Sequence, residues 1–418
     1  MTPLNRRHRA VAFTALAAAL LWGTPATAAT TAPIKIGCSI SLTGGVAVNG
    51  KQVMMGFEIW RDDINAKGGL LGRQVKLICY DDQSNPALVP GIYTKLIEID
   101  KVDLTVGPYA TNMTVPAIPV LMQHNMATVA VTALAANSHF HYPKYFVMLP
   151  SGPDPKRAFS EGFFKLALEM KPKPTTVALA GADAEFAKNG TDGARENAKS
   201  LGLKIVYDKS YPPNTTDYAP IIRAINATNP DIVFDAGYNP DTIGMIHAAH
   251  EVGLKTRMFG GNMVGLASTT GRMQLGPLVN GIISEDAFSL GFKFPGLQDV
   301  LKEYQTRAAK AGTDPLGYSY VPFAYAALQV LGDAATAVKG LDQTKMAQYI
   351  HAHTFNTVAG DIAFDSDGEW TKARVISTQF QHITKGTLDE FKDPHKAVIV
   401  WPPEYKTGDF IYPYTKAE

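Results

Sequence analysis

The sequence predicts an α/β protein of two doubly wound lobes, each built on a parallel sheet, behind a cleavable export leader. Three observations carry that prediction. Strand-like and helix-like stretches alternate from Ile34 onward, as parallel strands joined by right-handed crossovers require. The alternation restarts after the break Leu149-Pro150-Ser151-Gly152-Pro153, so one architecture occurs twice, without a detectable sequence repeat. The 418 residues, less the leader, are too many for one ordinary core and suit two.

The leader comes first. Met1 to Arg9 carries Arg6, Arg7 and Arg9 and no acid, an apolar run from Ala10 to Trp22 follows, and small residues continue to Ala29. That order is a secretory signal peptide, with cleavage expected after Ala28 and a periplasmic mature protein. The apolar run falls short of the about 20 residues a spanning helix needs. Arg6-Arg7 hints at a twin-arginine signal, but Arg9 and Ala10 stand where large apolar residues belong, which favours ordinary secretion. Ile36-Gly37-Cys38 imitates a lipidation box only faintly, since Lys35 replaces an aliphatic residue. No later segment is long and apolar enough to span a membrane, so the mature chain is expected not to be membrane-inserted. The 39 basic and 38 acidic residues lose three arginines with the leader, leaving a net charge near −2 and no basic run. Nucleic acid is therefore not an expected partner.

Each element follows from its pattern. Ile34 to Leu42 reads as a strand, and Val53, Phe57, Trp60 and Ile64 recur at helical spacing before the stop Lys67-Gly68-Gly69. Further strands are expected at Gln74–Tyr80 and Val102–Gly107, with a helix after Asn85-Pro86 between them. In the second unit the strands are Thr176–Ala180, Lys204–Asp208, Ile232–Asp235 and Met258–Gly260, with helices at Asp217–Ala227 and Thr242–Val252. Helices at Gly296–Ala311, Tyr320–Val338 and Thr344–His353 then follow without intervening strands, and a strand-rich tail holds Val375–Gln381 and Ala397–Trp401. A late helical block suggests a chain that returns to complete its first lobe.

Most candidate chemistry has a plain explanation. Gly45-Val46-Ala47-Val48-Asn49-Gly50-Lys51 imitates a phosphate loop, but Gln52 stands where a Mg²⁺-binding hydroxyl belongs, and no later strand ends in the required acid. It is better read as a turn that places Asn49 beside the strand ends. The pairs His139/His141, His247/His250 and His351/His353 lack a third ligand at a recognisable spacing, and no metal site is expected. Asp62-Asp63, Asp81-Asp82 and Asp365/Asp367/Glu369 fit capping, turn and ion-pair roles. No nucleophile elbow or paired-cysteine motif appears. Neither catalytic residues nor a cofactor are expected.

The remaining candidates lie just past the carboxyl ends of the strands, where ligands bind in such sheets. After the third strand, Pro108-Tyr109-Ala110-Thr111-Asn112 opens a helix whose free N–H groups suit a carboxylate; simple N-capping by Thr111 or Asn112 would explain the same residues. Thr132-Ala133-Leu134 follows the next strand. Asp183-Ala184-Glu185-Phe186, Gly237-Tyr238-Asn239 and Gly261-Asn262-Met263 end strands of the second unit. Tyr109, Phe186, Tyr238 and Met263 would make a largely apolar wall with a few polar anchors.

The stretches LTGGVAVNGKQVMMGFE, DINAKGGLLGRQVKL, YDDQSNP, VDLTVGP, NPDIVFDAGYNPDTIGMIHAAHEVGL and YVPFAYAALQVL resemble the type I periplasmic solute-binding proteins of the leucine/isoleucine/valine-binding family. The resemblance covers roughly Ile34 to Gln381; the tail containing WPPEYKTGDFIYPY lies beyond it. It implies a clamp with three crossovers, lobe 1 spanning 30–149 plus 286–372 and lobe 2 spanning 150–285 plus 373–418. Such a clamp would serve the membrane permease of an ABC importer, as a monomer. It also implies that a ligand carboxylate is held at Thr111 and its neighbours, with a second contact at Thr132 to Leu134 and Tyr238 closing from the other lobe. Amino-acid-binding members carry an acid near Gly261-Asn262-Met263 to meet the ligand ammonium; Asn262 is neutral here, and Leu134 replaces a hydroxyl residue. A buried ammonium without a carboxylate costs several kcal/mol. The expected ligand is therefore an aromatic or aliphatic acid without a required ammonium, unless Asp183 or Glu185 supplies the charge. In this fold Cys38 and Cys79 lie on neighbouring strands whose Cβ atoms are expected to sit wider than the ~3.8 Å a disulfide favours, which favours two buried thiols. The rival functions are a receptor's sensing module, expected to lead into a membrane span and signalling domain, and an enzyme, which would need a nucleophile or metal set.

Overall fold

The computed structural model describes Thr2 and residues 32–317 and 320–417. The leader and its cleavage site lie outside the described residues.

The first five strands, β1 (Ile34–Ile40), β2 (Val75–Asp81), β3 (Leu104–Val106), β4 (Thr128–Ala130) and β5 (Tyr145–Val147), form one parallel sheet in the order β2-β1-β3-β4-β5. Ile34, Ile36, Cys38 and Ile40 are all buried, as are Gly37 and Ser39 between them. Burial on both faces is what a parallel strand covered by helices on either side requires. Helices α1 (Ala47–Ala66), α2 (Val89–Thr94) and α3 (Thr111–Gln123) make the crossovers. The phosphate-loop imitation resolves into the start of α1. There Gly50 lies so close to the preceding loop that a Cβ would stand 1.9 Å from the Ser41 carbonyl oxygen. The glycine serves packing at that point.

The second sheet has seven strands in the order β14-β13-β10-β9-β8-β6-β7. Along the chain α4 (Pro155–Glu169) leads into β6 (Thr176–Ala182), α5 (Glu185–Ser200), β7 (Lys204–Tyr211), α6 (Ala219–Asn226) and β8 (Ile232–Gly237). Then come α7 (Asn239–Val252), β9 (Met258–Met263), α8 (Thr269–Leu275) and β10 (Ile283–Asp286). These five strands are parallel. The expected strands of both sheets begin within two residues of their observed starts; β5 and β10 carry no clear signal in the sequence.

The chain then returns. Helices α9 (Leu297–Ala311), α10 (Tyr320–Ala337) and α11 (Gln343–Ala352) bury Leu301, Tyr304, Phe323, Leu328 and Ile350 in one apolar core with the strands of the first sheet. A small hairpin, β11 (Phe355–Thr357) with β12 (Gly360–Ile362), follows. The chain next crosses to the second sheet, where β13 (Ile376–Phe380) and β14 (Ala397–Trp401), separated by α12 (Leu388–Lys392), add an antiparallel edge. Three segments thus connect the lobes, after β5, after β10 and before β13. They are tied together. The Arg374 N–H of the third donates to the Pro150 carbonyl of the first at 2.8 Å, and beside the second and third the Ser377 hydroxyl of β13 donates to Glu285 of β10 at 2.9 Å. The tail beyond β14 is anchored by the amide side chains of Gln379 and Gln381, which donate to the carbonyls of Ile411 and Asp409.

One expectation is overturned. Cys38 and Cys79 form a disulfide, with Cα atoms 4.5 Å apart. The β1–β2 register sets Cys38 directly opposite Cys79, and that separation lies within the 4.4–6.8 Å range that disulfides span. The general spacing of parallel strands did not anticipate so close a local approach.

Candidate functional site

A narrow cavity of about 60 Å³ lies between the carboxyl ends of the two sheets. The first lobe contributes Tyr109, Ala110, Thr111, Thr132, Leu134 and Tyr320 to its wall; across from them stand Phe159, Phe186, Tyr238, Asn262 and Val264. Glu285 and Asp286 complete it where β10 runs into the second crossing segment. The aromatic rings touch in sequence. Tyr109 meets Tyr320 edge-on at 5.2 Å between centroids, and Phe186 meets Tyr238 at 5.4 Å and Phe159 at 6.2 Å.

Helix α3 begins at Thr111, after Ala110 turns the chain at φ 73°. N-capping by Thr111 or Asn112 is not what the structure contains, because neither side chain bonds to the helix start. The Thr111 hydroxyl oxygen instead accepts the Leu134 N–H at 2.9 Å, which joins two loops that the sequence singles out. The first N–H groups of the helix have no carbonyl within it to bond, and the buried Tyr238 hydroxyl has no hydrogen-bond partner among the described residues. Thr111, at the helix start, and Tyr238 both line the cavity.

Asparagines hold the lobes together around this space. The Asn49 amide donates to the Tyr109 and Tyr320 hydroxyls at 2.8 and 3.2 Å and, across the cleft, to Asn239 Oδ1 at 3.0 Å. Asn112 Oδ1 accepts the Phe186 N–H at 3.1 Å, and the Asn189 amide donates to the Leu134 carbonyl at 2.9 Å. Asn49 is completely buried but does not line the cavity; it fixes the two tyrosines that do. Asn112 faces the outer mouth of the cleft rather than the cavity, and Ala133 is buried behind the wall. An Asn49→Ala/Asn239→Ala protein is expected to favour the open clamp. Small-angle scattering of the ligand-free protein should show a larger radius of gyration than wild type, and unchanged curves would remove the asparagines from closure.

The charges are arranged differently from the sequence expectation. Asp183 pairs with Lys188 at 2.7 Å on the outer rim, where Glu185 also lies, so neither reaches the inner cavity. Asn262 donates to the Phe159 carbonyl, and its Oδ1 is buried without a hydrogen-bond partner. It stands against Gly190, where a Cβ would come within 2.3 Å of that oxygen. The carboxyls of the cavity are Glu285 and Asp286. Asp286 lies 3.7 Å from the buried Arg272 guanidinium and accepts the Ala287 and Phe288 N–H groups. Burial pushes Glu285 up to about 8, against the pull of the Ser377 hydroxyl and the Phe163 N–H. Burial also holds the Tyr109 hydroxyl up at about 12. At neutral pH the wall thus has one compensated ion pair and one uncharged acid.

Tyr320, Phe159, Leu149, Glu285 and Asp286 carry no signal in the sequence that marks them as site residues. Tyr320 opens a helix that looks like pure core, and the acids sit in the short stretch Ile283-Ser284-Glu285-Asp286, which has no strand-like alternation. Among the described residues no group of three His, Cys, Asp or Glu side chains could hold a metal ion.

The family model described as periplasmic binding protein matches residues 33–381. The Leu/Ile/Val-binding protein of Escherichia coli (strain K12) is 25% identical over 341 residues, covering 80% of this chain and 88% of that protein. A leucine binding protein from Thermotoga maritima has a TM-score of 0.71 at 18% identity, over 84% of this chain and 96% of that one. An ABC transporter solute binding protein from Rhodopseudomonas palustris HaA2, solved with p-hydroxybenzoic acid, has a TM-score of 0.71 at 20% identity, over 85% of this chain and 94% of that one. The chain belongs to the periplasmic binding protein family, in the branch that holds the Leu/Ile/Val-binding proteins.

Proposed function

We propose that this chain captures a small carboxylate solute, an aromatic or aliphatic acid, in the periplasm and delivers it to an ABC importer of the branched-chain amino acid type. The observation that carries this reading is the cavity wall: rings of Tyr109, Phe159, Phe186, Tyr238 and Tyr320 surround it, and no uncompensated carboxylate faces it. An apolar body fits the rings. Its carboxylate fits the corner made by the α3 start and Thr111, where backbone N–H groups and the helix dipole favour an anion. An ammonium would meet Asn262 and an Asp286 already matched by Arg272.

In this reading the leader is removed near Ala28, and the lobes divide at residues 150, 286 and 373. The three crossings act as the hinge of a clamp that closes on its ligand and does no chemistry on it. The permease of the importer would recognise the closed form, as expected of a monomer. An amino-acid ligand is the second reading, favoured by the adjacent carboxyls of Glu285 and Asp286.

Thermal unfolding against benzoate, 4-hydroxybenzoate, 4-methylpentanoate, leucine and valine separates the two. A ligand at about 1,000 times its Kd stabilises by about 4 kcal/mol, which shifts Tm by several degrees. At least one acid is expected to give such a shift. Stabilisation by leucine or valine alone would sink the acid reading.

A further inference from the structure

Glu285 occupies an unusual place. It lines the cavity, lies one residue before the end of β10, and bonds to β13 through Ser377, just past the third crossing. The residue is 5% exposed, and its carboxyl is held by two neutral donors, the Phe163 N–H at 2.6 Å and the Ser377 hydroxyl at 2.9 Å. Among the described residues no Lys, Arg or His pairs with it.

The groups that face it explain its state. On its own strand Asp286 lies next to it, matched by Arg272 of α8. From α4 comes Glu161, a second negative neighbour. Strands β9, β13 and β14 bring no titratable side chain. Burial and these neighbours all favour the uncharged acid. Among the described residues no cation holds its ionised form, so a charge entering the cavity with a ligand becomes a dominant influence on it.

We propose that Glu285 sets which charge the cavity admits, accepting an anionic ligand while it holds its proton and favouring an ammonium-bearing one once the proton is lost. This rests on the cleft being the ligand site proposed above. The linkage gives the two ligand classes opposite signs. A bound carboxylate makes ionisation of Glu285 harder, so near its midpoint of about 8 acid binding takes up a proton from solvent, and affinity falls as pH rises. A bound ammonium makes ionisation easier, so binding releases a proton and affinity rises with pH.

The test is titration calorimetry of the mature protein with 4-hydroxybenzoate and with leucine, from about pH 6.5 to about pH 9.5, in two buffers of different ionisation heat. Affinity for 4-hydroxybenzoate is expected to fall roughly tenfold over that range with at most about half a proton taken up, as a shift of about one pKa unit in the complex dictates. In Glu285→Gln the fall and the proton uptake should both vanish. Ser377→Ala removes a donor that favours the ionised form, so the fall should move to higher pH; this variant keeps the test open if the Gln protein fails to fold. Infrared difference spectra at neutral pH should show a protonated carboxyl band in wild type that Glu285→Gln lacks. A missing band, a flat pH profile in wild type, or the same profile in wild type and Glu285→Gln overturns the role of Glu285 and leaves the functional reading intact. Failure of both probes to bind at any pH overturns the functional reading, and the proposal with it.

Discussion

Replacing Arg272 by Met is expected to destabilise the protein by about 3–5 kcal/mol, the largest effect of any single change at the site. The Arg272 and Asp286 side chains are only 6% and 4% exposed, 3.7 Å apart. Asp286 also accepts two backbone N–H groups, which hold it ionised when its partner is gone. The variant therefore removes the cation that matches a buried carboxylate at the cavity wall. Arg272 packs over the Phe380 ring and donates to the Leu266 carbonyl, and Met preserves much of that volume. The control is the double variant Arg272→Met/Asp286→Asn, which removes both charges and should recover most of the loss. Denaturant unfolding of the single and double variants measures the coupling. A double variant as unstable as the sum of its singles would mean that the pair does not act as a pair. Loss of the Arg272 charge beside the cavity should also weaken binding of a carboxylate ligand more than tenfold.

The second large effect is a pH-dependent gain in stability on replacing Glu285 by Gln. Folding raises this carboxyl from the ordinary glutamate value of 4.5 to about 8. Between those values the folded state keeps a proton that the unfolded chain has lost, so wild-type stability declines with rising pH across this window. Below about pH 4.5 both states are protonated and no decline is present; above about pH 8 it is complete. At 1.36 kcal/mol per pH unit the full difference reaches at most about 5 kcal/mol. Gln can accept the Phe163 N–H through its carbonyl and donate to the Ser377 hydroxyl through its amide, so it retains both contacts. Glu285→Gln should therefore gain on wild type from about pH 5 to about pH 8 and hold a constant advantage beyond that. Parallel stability curves across the window would show that Glu285 is ionised in the folded protein.

Much of the binding cleft is legible in the amino-acid sequence, because ligand sites in parallel sheets follow strand ends. That rule selects Tyr109, Thr111, Thr132, Leu134, Phe186, Tyr238 and Asn262, and the fold brings all seven to one cavity. It also selects Asn49, Asn112 and Ala133, which lie just outside the cavity, since a loop position does not say which way a side chain faces. Asn49 and Asn112 instead bond across the cleft, a role that depends on residues 190 and 74 positions away. The disulfide escapes the sequence for a related reason. It depends on the direct pairing of Cys38 with Cys79, and a one-residue slip would have set the thiols on opposite faces.

Periodicity and the turn residues that end each element suffice to specify the two α/β units and the return of the chain through three helices. The resemblance to the amino-acid-binding members likewise sets a neutral Asn262 where those members carry an acid. These are local properties, and no distant contact is needed to read them. The electrostatics of the cavity, in contrast, exist only in the folded chain. Ile283-Ser284-Glu285-Asp286 reads as an ordinary acidic stretch until β9 and β13 bury it. One acid then meets Arg272 and remains charged, while the other meets only neutral donors and keeps its proton. Burial and partner choice set charge in a protein interior, and both arise from contacts distant in the chain.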